Sequence, residues 1–125
     1  MNLLLDTHIV LWALADDAAL PASARAAITD GTNRAVVSAV SALEISIKRA
    51  LGKLAAPDDF EDAIARSGFE AMSITMAHAR RAGSLPPRHD DPFDRMLIAQ
   101  AIEEGLTIVT VDAQFSEYGV GVLAS

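Results

Sequence analysis

Cysteine is absent from the chain, which removes disulfides, thiolate metal ligands and cysteine nucleophiles from consideration. Aromatic residues are scarce at 5%, with one Trp and one Tyr, too few for a platform on which successive bases stack. Hydrophobic residues make up 51% of the composition. Even so, no apolar run approaches the roughly 18 residues that mark a membrane-crossing helix. The opening residues lack the basic segment and cleavage site of a secretory leader, so a soluble cytoplasmic protein with no membrane association is expected. Positive charge is also short: 10 Lys and Arg stand against 17 Asp and Glu, a formal net charge of −7. That balance argues against broad electrostatic capture of nucleic acid, although a few clustered cations or a bound divalent metal reverse the sign locally.

What the 125 residues do contain is two alternating periodicities, at a length suited to one domain spanning 1–125. Short apolar runs (NLLL, RAVV, FEAMSI, LTIVTV) are separated by segments with helical spacing. Strands are expected at Asn2 to Leu5, Arg34 to Val37, Phe69 to Ile74 and Thr107 to Val111, with a short last one near Gly121 to Leu123. A helix is expected from about Thr7, and a second, with Pro21 in its first turn, ending near Gly31. Val40, Leu43, Ile47 and Leu51 fall on one face of a third helix, stopped by Gly52. Asp58 or Asp59 can cap a short acidic helix ending at Gly68, and another helix covers Thr75 to Ala82 before the loop GSLPPRH. The last helix starts near Asp91 and ends at Gly105. Strands alternating with helices imply an α/β fold with a mainly parallel sheet, covered on both faces, whose ligands bind beyond the carboxyl ends of the strands.

That rule directs attention to Asp6, directly after NLLL, and Asp112, directly after TIVTV. Each also suits the N-cap of the segment that follows. Glu44 lies beside the apolar stripe of its helix, where it either pairs with Lys48 at i, i+4 and leans toward solvent or contributes to a site. In RHDDPFDRMLIAQA, Asp91 as N-cap, Pro92 in the first turn and Asp94 at the third helical position form a short-armed capping box. Asp94 fits that box less well than Asp91, because Asp is a short arm and Leu97 and Ile98 place it beside the buried face. Four like charges converging at a sheet edge either raise one another's pKa values or are neutralised by a cation. Oxygen-only donors select Mg2+ or Mn2+, and metal-assisted phosphodiester hydrolysis is the reaction class most natural to such a cluster.

Across nearly its whole length the sequence resembles PIN-domain ribonucleases, specifically VapC-type toxins of toxin–antitoxin pairs. The resemblance rests on LLLDTHIVLW, SALEISIKRALGKL, HDDPFDRMLIAQA and TIVTVDAQFSEYG, taken in that order and spacing. It implies a three-layer α/β/α sandwich and an endoribonuclease that depends on Mg2+ or Mn2+, hydrolysing RNA with a metal-activated water. It also implies a homodimer and a cognate antitoxin. Carried over by position, the family's acidic quartet falls on Asp6, Glu44, Asp94 and Asp112, with Thr110 at a small polar position that orients the site and Asp91 at the cap. Leu43 departs from the pattern, since close relatives often carry an aromatic residue there.

Arg95, Lys48, Arg49 and Lys53 offer a cationic rim for RNA phosphates, or else solvated ion pairs. His8 offers a substrate contact, while His8 and His89 lack the partner spacing of a zinc site. Trp12, Ile9 and Leu5 read as core or dimer contacts. Two other functions compete. An aspartyl-phosphate transferase of the dehalogenase type wants a second Asp two residues after Asp6, where His8 stands. A receiver domain wants a late lysine, and the last one here is Lys53. The third reading, an inactive PIN-like binding module, is opposed by the intact quartet.

Overall fold

Leu3, Leu4 and Leu5 are all shielded from solvent in strand β1, Asn2–Leu5, as a strand covered on both faces requires. A computed structural model of the chain describes residues 1–119 and the strand at 122–123. Strands β2 (Arg34–Ser38) and β4 (Thr107–Val109) flank β1, with Leu4 opposite both Val36 and Ile108. Strand β3 (Glu70–Met72) lies outside β2, and β5 (Val122–Leu123) outside β4. All neighbours are parallel, in the order β3-β2-β1-β4-β5.

Side chains alternate across this sheet with the period of two that a strand imposes. Leu3, Leu5, Val37 and Val109 face one layer, formed by helices α1 (Thr7–Leu14), α2 (Ala22–Thr29) and α4 (Phe60–Arg66). Leu4, Val36 and Ile108 face the other, formed by the start of α3 (Ala39–Ala50), by α6 (Pro92–Glu104) and by Phe115 of a 3-10 helix, Ala113–Tyr118. Helix α5 (Met76–Ser84) packs on the outside of α6. The result is the expected α/β/α sandwich. Each fully buried Leu or Ile contributes about 1.5–3 kcal/mol of hydrophobic stabilisation. Among the described residues no helix is long and apolar enough to cross a membrane.

Several boundaries differ from the sequence expectations, each for a local reason. Strand β3 stops at Met72 because its only partner, β2, ends at Ser38, and Thr75 is then used to cap α5. Strand β4 stops at Val109, opposite Leu5, where its partner β1 also ends. Thr110 and Asp112 are thereby released from the sheet. Pro21 stands one place before α2 rather than inside it, with an extended ψ of 146°. Val122–Leu123 pairs with β4 as expected of the last strand, while Gly121 lies outside the described residues. Gly105 ends α6 in the left-handed conformation, φ 67°, as its place after the last helical residue implied.

Helix α3 is the largest departure. Its buried residues are Val40, Ser41, Glu44 and Ile45, whereas Leu43, Ile47 and Leu51 are 50%, 43% and 63% exposed. The apolar stripe therefore faces outward, apart from Val40. Polar Ser41 and Glu44 occupy the inward face because they serve the sheet edge, and the helix is turned accordingly.

Candidate active site

The register of β1 against β4 sets Leu5 beside Val109, and the amide of Asp6 donates to the Val109 carbonyl at 3.0 Å, extending the pairing by one step. Asp6 and Thr110 thus leave the carboxyl edge side by side. The Thr110 hydroxyl donates to Asp6 Oδ2 at 2.7 Å and accepts the amide of Asp112 at 3.0 Å, so one oxygen ties the two strand-end aspartates together. Asp112 Oδ1 accepts from the Gln114 amide at 2.9 Å and so caps the 3-10 helix. Both strand-end aspartates are helix caps as well as members of one cluster, since Asp6 Oδ1 accepts the Thr7 amide at 2.7 Å.

Thr7 carries the connection onward. Its hydroxyl donates to Glu44 Oε1 at 2.7 Å, and because a carboxylate cannot donate, the Ser41 hydroxyl at 2.9 Å must donate to Thr7. Lys48 donates to Glu44 Oε2, and its ammonium lies 6.0 Å from the centre of the Phe93 ring. Glu44 is 5% exposed, so the i, i+4 pairing with Lys48 holds without the carboxylate leaning to solvent. That buried carboxylate stays tolerable because the Thr7 hydroxyl and the Lys48 ammonium both donate to it, with Ser41 orienting Thr7. Lys48 in return is pushed above its ordinary pKa, chiefly by the hydrogen bond to Glu44.

Asp94 reaches the cluster from the first turn of α6. Asp91 caps that helix by accepting the amides of Phe93 at 2.8 Å and Asp94 at 3.2 Å. The Asp94 side chain does not close a capping box; it bonds Nε2 of His89 at 2.7 Å. The carboxyl of Asp94 is pushed up to about 7, first by burial and then by the charges of Asp91 and Asp6, against the opposing pull of His89. Burial also raises Asp6, against hydrogen bonds from Thr110 and Thr7. His89 Nε2 is 3.9 Å from Asp112 Oδ2, so the imidazole bridges toward the last carboxylate. A continuous line of polar groups therefore runs from Lys48 through Glu44, Thr7, Asp6, Thr110 and Asp112 to His89 and Asp94.

The expected cationic rim is divided. Lys48 belongs to the site, and His8, exposed on α1 with its ring 5.8 Å from that of Trp12, lies near enough to Asp6 to favour its ionised form. Arg95 turns away from the site and braces the preceding loop. Its two terminal nitrogens donate to the carbonyls of Ala82, Leu85, Pro86 and His89, which uses all four of their N–H groups. Arg49 pairs with Asp58, and Lys53 is exposed beyond the end of α3. Leu5 and Ile9 are core, and Trp12 packs at its edge. Thr7 and Ser41 join the site without being singled out by the sequence pattern, and His89 joins it without the spacing of a zinc site. Thr7 and Ser41 sit one and three residues from quartet members, a proximity that is a usable signal.

A parallel α/β/α sandwich with aspartates at the carboxyl ends of its two central strands and a third on a neighbouring helix start defines a class of domain with an acidic, cation-attracting edge. Within that class, the chain belongs to the PIN domain family, whose model matches residues 3–121. The fold is similar to that of VapBC from Salmonella typhimurium bound to DNA, with a TM-score of 0.73 at 19% identity over 99% of this chain and 98% of that one. VapBC2 from Rickettsia felis, bound to a promoter fragment, gives 0.70 at 17%, and VapBC-5 from Mycobacterium tuberculosis gives 0.62 at 18%, each again over 99% of this chain and 98% of the other. No curated protein matches the chain in sequence comparison.

Proposed function

We propose that this chain is a divalent-metal-dependent endoribonuclease and the toxin of a toxin–antitoxin pair. The observation that carries the reading is Asp94: its carboxyl rises to about 7 because burial, Asp91 and Asp6 all oppose its charge, and a cation relieves that opposition. The donor set fits Mg2+ or Mn2+, since the side chains converging at the edge offer mainly carboxylate oxygen. Such an ion supplies Lewis-acid charge at a phosphoryl oxygen and lowers the pKa of water.

Asp6, Asp94 and Asp112 are the residues that would hold the ion. Glu44 completes the quartet that would hold the ion; its oxygens, like those of Asp6, also accept hydrogen bonds, from Thr7 and Lys48, and these orient it. Thr110 fixes the spacing between Asp6 and Asp112. Lys48 and His8 are the contacts for RNA phosphates, with Lys48 supplying positive charge beside an acidic cluster. Membership of the PIN family supports nuclease chemistry, and the toxin–antitoxin complexes among the structural neighbours support an antitoxin partner. A cytoplasmic location and a homodimer complete the reading.

The deciding experiment compares RNA cleavage and growth arrest by the wild type and Asp94→Asn, with Mn2+ and with chelator. Cleavage is expected only from the wild type with metal. Equal cleavage by both proteins, or indifference to chelation, overturns the assignment.

A further inference from the structure

His89 precedes the helix cap by two residues and is only 13% exposed. Two independent sets of contacts fix it. From α6, Arg95 holds the carbonyls of Pro86 and His89. From the 3-10 helix, the Tyr118 hydroxyl donates to the Pro86 carbonyl at 3.0 Å and accepts the Arg88 amide at 3.1 Å, while Arg88 reaches the Glu117 carbonyl at 3.0 Å. The imidazole itself makes a T-shaped contact with fully buried Phe115, with centroids 6.2 Å apart and planes at 73°. A loop with two consecutive prolines and this much bracing presents one nitrogen at a fixed point. That point lies between two of the carboxylates.

Nε2 of His89 is 2.7 Å from Asp94 Oδ2 and 3.9 Å from Asp112 Oδ2, and one donor atom from each of the three residues falls within 4.8 Å of the others. Donors bound to one small cation at about 2.1 Å stand about 3 Å apart when adjacent and about 4.2 Å apart when opposite. The spacing already present is close to both values. The rigid loop leaves the ring little freedom to swing aside, so a cation entering between Asp94 and Asp112 displaces to solvent the proton shared by His89 Nε2 and Asp94 Oδ2 and meets the imidazole nitrogen as a third donor.

The geometry points to His89 as a nitrogen ligand of the divalent cation, beside Asp94 and Asp112, which turns an oxygen site into a mixed one and favours Mn2+ over Mg2+. This rests on the metal reading of the same site and deepens it. The chemical basis is ligand preference: Mg2+ keeps to oxygen, whereas Mn2+, the weakest of the first-row transition ions at nitrogen donors, still accepts an imidazole among carboxylates. Gln at this position returns an oxygen of similar reach, so His89→Gln separates loss of nitrogen from loss of the site.

The test measures Mn2+ and Mg2+ binding to the full chain, with pulsed EPR of bound Mn2+ reporting directly coordinated 14N. Wild type and His8→Gln are expected to show the nitrogen coupling and His89→Gln to lose it. Mn2+ affinity should fall about tenfold or more in His89→Gln, and Mg2+ affinity by less than about threefold. A nitrogen signal that is missing from the wild type, lost in His8→Gln, or unchanged in a folded His89→Gln overturns the proposal. If Mn2+ still binds and Asp94→Asn abolishes that binding, the metal reading survives such a result. If the wild type binds no Mn2+ or Mg2+ at all, the metal reading fails and takes the proposal with it. If His89→Gln does not fold, His89→Asn takes its place in the same measurement.

Discussion

Asp94 is where the cost of assembling this site is concentrated. In the unfolded chain its carboxyl returns to about the ordinary value of 3.8, while in the folded protein it is pushed up to about 7. The folded state therefore binds that proton more tightly, and the contribution to stability is present below the unfolded value and disappears as pH rises through about 7. Asp6 is raised as well and acts in the same direction. Asp30, Asp59 and Glu70 are lowered, chiefly by hydrogen bonds to Thr32, Arg66 and Arg34, so their opposing contributions change only in more acidic solution. Metal-free protein should thus melt at a lower temperature at about pH 8 than at about pH 5, and Asp94→Asn should remove most of that difference, on the order of 2 kcal/mol. Thermal denaturation in chelator at the two pH values reads this directly; a wild-type melt that rises from pH 5 to pH 8 contradicts it.

At the scale of elements, α3 carries the clearest lesson. A sequence stripe of Val40, Leu43, Ile47 and Leu51 looks like a buried face, yet three of its four members are exposed and the inward positions include Ser41 and Glu44. Hydrophobic periodicity identifies the helix correctly and its orientation incorrectly, because the site demands polar groups where the pattern alone would place apolar ones. Stability measurements should rank the two faces: Leu43→Ser and Leu51→Ser within about 0.5 kcal/mol of the wild type, and Ile45→Ala destabilised by about 2–4 kcal/mol. Equal losses on both faces in urea denaturation would return the stripe to the core. By contrast, the strand-end aspartates are legible because parallel strands deliver Asp6 and the Thr110–Asp112 segment to one edge of the sheet, and the structure adds that β1 and β4 are neighbours. His89 was not legible by that route. It comes from a loop whose position depends on Arg95 and on Tyr118, contacts that no periodicity encodes.

For the whole molecule, the order β3-β2-β1-β4-β5 places two central strands together that come from opposite ends of the chain. The hydrogen bond from Thr110 to Asp6 joins positions 104 residues apart, and the pairing of β1 with β4 is of the same long range. Contacts between such distant positions form late, because the intervening chain must be ordered before they contribute. During synthesis this has a temporal meaning. A nascent polypeptide released only as far as α6 already carries Asp6, Glu44 and Asp94 and one neighbour of β1, the strand β2, but it lacks the other neighbour, β4, together with Thr110 and Asp112. Ribosome-arrested chains ending before Thr107 should be open to protease around Asp6, and chains that expose residues through Asp112 and beyond should be protected there; protection in the shorter chains would show that β1 settles on β2 without β4. With the nuclease function proposed above, the site would stay incomplete on the nascent chain until Thr110 and Asp112 have emerged.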